Sequence, residues 1–140
     1  METKNKMITV EATVNAPVAK VWAYWSAPKH ITQWCQASPD WHAPKAENDL
    51  RTGGTFSTTM AAKDGSMSFD FGGVYDDVVE HQHIAYTMGD GRTVDITFTA
   101  SGDQTHVRET FEMESMNPEE MQRGGWQAIL DSFKNYTETN

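Results

Sequence analysis

The sequence predicts an α+β fold: a curved antiparallel sheet of about six to seven strands wrapped around a long C-terminal helix, with two short helices after the first strand. Three observations predict it. A β-branched stretch near the start runs into two short apolar helical faces punctuated by proline. Residues 55–114 then alternate apolar and polar side chains between Gly-containing turns. Residues 117–136 carry a single apolar stripe at helical spacing. A chain of 140 residues suits a single domain over 1–140.

Met7-Ile-Thr-Val-Glu-Ala-Thr-Val14 reads as the first strand, with β-branched residues in partial alternation. Asn15-Ala-Pro17 opens a helix over 18–25, in which Val18, Val21, Trp22 and Trp25 share a face. Pro28 breaks it and starts a second short helix ending near Trp34. A strand is expected over 41–46 and a turn at Asp49-Leu-Arg-Thr-Gly-Gly54. A meander follows, with strands at 55–61, 67–79, 84–88, 93–100 and 105–114. Their connections, Lys63-Asp-Gly-Ser66, Gly89-Asp-Gly91 and Ser101-Gly-Asp103, are hairpin signals. The cleanest alternation sets Val94, Ile96 and Phe98 against Asp95, Thr97 and Thr99, giving one buried face and one wet face.

The last helix is expected to begin with Asn117 as N-cap, Pro118 in the first turn, and Glu119 and Glu120 at its positive end. Met121, Gly125, Ile129 and Phe133 follow one face, with Trp126, Leu130 and Thr137 beside them. Gly124-Gly125 interrupts that face, and each interior glycine costs about 1 kcal/mol relative to alanine. Two reasons would justify the pair: a close approach to the sheet, or space left beside Trp126.

Net charge is −9 with the acids scattered, which argues against nucleic acid, since phosphate binding needs clustered Lys and Arg. Cys35 is the single cysteine, so neither an internal disulfide nor a zinc cluster is expected. The start at Met1 is polar and lacks a signal-peptide stretch, and no apolar run approaches the roughly 20 residues of a membrane span. A cytoplasmic, monomeric protein is the expectation. Eight methionines, five tryptophans, four tyrosines and six phenylalanines furnish a core and suit an internal pocket.

Several strings, in this order, resemble the activator of heat-shock protein 90 ATPase homologue family, within the START-like (SRPBCC) helix-grip superfamily. They are Ala16-Pro-Val-Ala-Lys-Val-Trp22 with Trp25 and Pro28, Ile31-Thr-Gln-Trp34, Asp49-Leu-Arg-Thr-Gly-Gly54, Gly73-Val-Tyr75, Thr105, and Gly125-Trp126. The chain departs from the family after Trp34, where Cys35-Gln36-Ala37 replaces a second tryptophan and Gly-Pro. The resemblance implies a cavity between sheet and helix that holds a hydrophobic small molecule, lipid-like or aromatic and polyketide-like. It also implies two alternatives: a cyclase or hydrolase using a pocket carboxylate, and a co-chaperone domain with a chaperone partner.

The candidate ligand contacts follow from parity and helical spacing. Phe56 and Met60 share a strand face with Thr58. Phe69, Phe71 and Tyr75 share another unless a bulge intervenes near Gly72-Gly73. Ile96 and Phe98 add a third strand, Trp34 comes from the second short helix, and Met121, Trp126, Ile129 and Phe133 from the last one. Glu109 breaks the apolar parity of Val107, Phe111 and Met113 and is expected to point inward. There it would hydrogen-bond a ligand, act as an acid or base, or pair with Arg108, Arg92 or His106. A bulge that returns it to solvent is the other reading. His81-Gln-His83 has strand spacing but no third metal ligand in view, and reads as a solvated turn. Cys35 reads as a packing residue. No metal, cofactor or catalytic residue is expected, and the leading expectation is non-catalytic binding with Tyr75 or Glu109 orienting one polar group.

Overall fold

Seven strands form one antiparallel sheet in the computed structural model, which describes residues 6–36 and 38–140. The start from Met1 and the Ala37 step after Trp34 lie outside the described residues. Chain order is β1 (Met7–Val14), α1 (Val18–Ser26), α2 (Pro28–Trp34), β2 (Trp41–Asn48), β3 (Thr55–Ala62), β4 (Ser68–Val79), β5 (His83–Met88), β6 (Thr93–Ser101), β7 (Gln104–Glu112) and α3 (Glu119–Thr139). Glycines at positive φ, Gly65, Gly91 and Gly102, make the hairpin turns that the Asp-Gly and Ser-Gly signals foretold.

Strand order across the sheet is β1-β7-β6-β5-β4-β3-β2. From β2 to β7 each strand pairs with the next. β1 instead pairs with β7, its Val10 opposite Glu109 and its Ile8 opposite Phe111. The α1–α2 pair therefore carries the chain from one edge of the sheet to the other. The curled sheet leaves a concave face, and α3 lies against it, packed on β1, α1 and α2. Glu138 near the end of α3 accepts the Asn15 backbone N–H at 2.8 Å, which ties the helix to the turn after β1.

The α3 start differs from expectation in cap and in phase. The helix begins at Glu119 with Pro118 as N-cap and no side-chain cap. Asn117 donates from its backbone N–H and its Nδ2 to Glu114 instead, both at 2.8 Å. The inward stripe is Gln122, Trp126, Ile129, Leu130, Phe133 and Thr137. Met121, expected on this stripe, is 64% exposed, because one residue rotates a helical position by about 100°. Gln122 takes the inward place by hydrogen bonding. Its Nε2 donates to the Glu114 and Asn117 carbonyls (3.0 and 2.8 Å), and its Oε1 accepts the Glu114 N–H at 2.9 Å.

A Cβ built on Gly124 or on Gly125 would meet no atom within 4 Å. Close approach to the sheet is thus not what the glycine pair serves. Alanine at either position is expected to raise stability by up to about 1 kcal/mol through helix propensity alone, measured as a higher urea midpoint at unchanged slope. A destabilised Gly125→Ala would show that the site has less room than its surroundings indicate.

Where α3 meets the short helices, the core is aromatic. Phe133 lies edge-on to Trp25 and to Trp34, each at 4.9 Å between ring centroids, and Phe98 of β6 packs against Trp22 and Trp25. Trp34 Nε1 donates to the Tyr24 carbonyl at 2.9 Å, and Ser132 Oγ donates to the Trp34 carbonyl at 2.7 Å. On the opposite face of the sheet, His83 is held by two aspartates rather than lying in a solvated turn. Its Nδ1 is 2.8 Å from Asp77 and its Nε2 2.7 Å from Asp95. Partial burial alone would lower the His83 pKa, but the two carboxylates outweigh it and the net shift is upward.

Candidate ligand-binding site

Between the concave face and the helices lies a cavity of about 340 Å³, within the size range of small-molecule sites. Strand parity built most of its sheet wall. Phe56, Thr58 and Met60 of β3 line it, as do Phe69, Phe71 and Tyr75 of β4. The bulge that would have separated these three falls after Tyr75, between Tyr75 and Asp77, and leaves their parity intact. At Gly73 a Cβ would sit 2.3 Å from the Thr87 carbonyl oxygen, so glycine lets β4 and β5 close there. Phe69 stands at the rim, 53% exposed.

The helices supply Trp34, Trp126 and Ile129. Trp126 stacks flat on Phe111, centroids 4.0 Å apart and planes 9° off parallel, with Phe71 edge-on to it. One face of the indole is thereby fixed by the protein itself.

Four expected contacts do not line the cavity. Met121 points to solvent, as described. Phe133 is fully buried between Trp25 and Trp34, and Phe98 is covered by Trp22 and Trp25 of α1. Ile96 faces inward but is enclosed by the packed core. Parity located the face of each strand residue correctly. It does not say which part of that face the short helices cover.

Other lining residues were outside the expected set. Tyr86 of β5 was readable, since Ile84, Tyr86 and Met88 alternate and all are buried. Trp25 and Ile31 lie on the apolar faces of α1 and α2. Asn48, Glu114 and Gln122 carry no periodic signal, because hydrogen bonds between distant segments place them. Tyr75 Oη donates to Asn48 Oδ1 at 2.6 Å, and Asn48 Nδ2 donates to the Ser26 carbonyl at 2.7 Å. Tyr75, expected to be free to orient a ligand, thus has its hydroxyl proton engaged.

Glu109 is the polar centre. It points inward, 6% exposed, and lines the cavity. Its cross-strand partners are Val10 on β1 and Ile96 on β6, both apolar. None of the three partners expected for it engages it. His106 bonds Glu11 at 2.8 Å on the outer face. Arg108 alternates onto that same outer face. Arg92 lines the cavity but its Nε is held by Asp90 at 2.7 Å. Among the described residues none hydrogen-bonds or ion-pairs with the Glu109 carboxyl. Burial pushes its pKa up to about 8.

Neighbouring groups are neutral. Burial, and then the nearby Glu109 carboxyl, push the Cys35 thiol up to about 12, and Cys35 Sγ sits 3.6 Å from Met60 Sδ. The same two causes raise the Tyr86 phenol, for which no described residue provides a hydrogen bond. Cys35 is therefore a packing residue on the cavity wall rather than an activated thiolate.

Solved structures share this fold along nearly the whole chain. A protein from Cytophaga hutchinsonii, solved in solution, is 65% identical with a TM-score of 0.82, the match covering 95% of this chain and 92% of that one. An AHSA1-like protein from Aeromonas hydrophila is 41% identical with a TM-score of 0.89, covering 96% and 93%. A protein from Chromobacterium violaceum, at 22% identity, a TM-score of 0.85 and 96% and 98% coverage, shows the fold alone. No curated protein matches the chain. The family described as "Activator of Hsp90 ATPase homolog 1-like protein" matches residues 15–138. With that match spanning α1 to α3, and the helix-grip architecture in place around its cavity, the chain belongs to the activator of Hsp90 ATPase homolog 1-like family.

Proposed function

We propose that this protein binds a small, mainly apolar molecule in the cavity between sheet and α3, without chemical transformation, and that Glu109 and Tyr86 orient one polar group of it. The carrying observation is the combination of an aromatic-lined cavity with a buried carboxyl that has no partner among the described residues. Affinity would come from burying apolar ligand surface, at about 25 cal/mol per Å². Direction would come from the unmet hydrogen-bonding capacity of Glu109 and Tyr86, since buried polar groups are otherwise paired.

Tyr75 takes a supporting role in this reading. Its hydroxyl fixes Asn48 and through it the end of α1, so it shapes the wall rather than binding as a donor. An acid–base function for Glu109 finds no ready proton-exchange partner in Tyr86 or Cys35, because burial raises both well above their ordinary values and neither gives up its proton near neutral pH.

Titration with naphthylmethanol, followed by amide chemical shifts, tests the reading. Shifts are expected along β3, β4 and the first half of α3. Trp126→Ala should weaken binding by about tenfold or more, through loss of apolar contact. The half-buried position of Trp126 predicts that the fold survives the change. Unchanged affinity in that variant, or shifts confined to the outer face, would overturn the assignment.

A further inference from the structure

We propose that the ligand is an organic cation, an aromatic or aliphatic amine whose ammonium group pairs with Glu109. This rests on reading the cavity as a ligand site and adds the charge of its occupant.

The charges on the lining are one-sided. Glu47 and Glu114 outnumber Arg92 on the lining even before Glu109 ionises, and the Arg92 Nε is held by Asp90. A carboxylate or phosphate ligand would meet this acidic excess, in a chain of net charge −9, with one partly engaged arginine as the cation on the lining. An ammonium meets a carboxyl that no described residue partners, deep in a wall of Val10 and Ile96. The lining also carries the rings of Phe56, Phe71, Tyr86 and Trp126. Aromatic faces attract a cation through the ring quadrupole and offer no such gain to an alcohol or an acid.

Proton chemistry favours the same partner. Left alone, Glu109 keeps its proton to about pH 8 through burial. A neutral hydroxyl would leave it in that form, making an ordinary hydrogen bond. An ammonium supplies the opposite charge that lets the carboxylate form, and the resulting charge-assisted bond is about twice as strong as a neutral one.

A matched trio with one ring system separates the possibilities: naphthylmethylamine, naphthylmethanol and naphthoic acid, titrated by calorimetry at pH 7. On the wild type the amine should bind about tenfold or more tighter than the alcohol, and the acid most weakly. Glu109→Gln, which keeps a hydrogen-bonding group but cannot ionise, should erase the amine's advantage, so that the alcohol binds the variant at least as tightly as the amine. Glu109→Met, which removes every hydrogen-bonding group, should erase that advantage too and weaken the alcohol as well. An alcohol that binds the wild type as tightly as the amine, or an amine advantage that survives both substitutions, would overturn the cation while leaving the apolar site intact. Failure of all three compounds to bind would overturn the site itself.

Discussion

Glu109→Gln is expected to stabilise the ligand-free protein by about 5 kcal/mol near pH 9 and to leave it almost unchanged near pH 4. The folded-state pKa of about 8 lies above the ordinary value of 4.5, with burial as the cause. Below about pH 4.5 the carboxyl is neutral in both folded and unfolded chains, and its protonated form does not penalise folding. Between the two values the unfolded chain releases the proton while the folded one retains it. Wild-type stability therefore falls as pH rises through this window, by up to about 1.4 kcal/mol per unit, and the loss is complete above pH 8. Glutamine has no proton to release. Urea unfolding of both proteins at several pH values isolates the effect, because every other titrating group cancels in the difference. A difference that stays flat with pH would mean that Glu109 is solvated or paired in the folded state. An ammonium ligand should flatten the wild-type profile, since it stabilises the charged form that burial disfavours.

Phe133→Ala is expected to destabilise the fold by about 3–5 kcal/mol. The ring is fully buried and touches Trp25 of α1 and Trp34 of α2, so its loss opens a void where three helices meet. Phe133→Leu keeps most of the volume and should cost less than about 1.5 kcal/mol. That milder variant distinguishes the core from the cavity wall: its affinity for naphthylmethanol should stay within about twofold. A loss comparable with that of Trp126→Ala would return Phe133 to the ligand site. A cost below about 1 kcal/mol for the alanine variant would show that Trp25 and Trp34 collapse into the space.

Local patterns carried most of the fold into view. Alternation in residues 93–100, glycine-bearing turns and proline breaks each reflect a short-range constraint, and all the strands and helices they imply are present. The site was legible where one element decided it: Phe56, Met60, Phe71 and Glu109 face the cavity because parity on a single strand dictates it. It was not legible where two distant segments share the decision. Gln122 wins the inward position from Met121 through bonds to the loop around Glu114, which hydrophobicity alone reverses. Phe98 faces inward, yet is lost to the cavity because α1 lies over it. The inward direction of Glu109 could be read from sequence. Its lack of a partner among the described residues could not, since that depends on Arg108 and His106 sharing the other face and on Asp90 holding the Arg92 Nε.

The pairing of β1 with β7 also sets an order of events in time. β1 is made before the other six strands of the sheet, and its partner β7 is the last of the seven. Until then β1 has no sheet edge to join, while β2 to β6 can zip together hairpin by hairpin through local contacts. Glu109 sits on β7, flanked by β6 and β1. The wall that bears it is thus the closing seam of the molecule, and a nascent chain holds no pocket. Under the proposed function, ligand capture begins only once β1 and β7 have met.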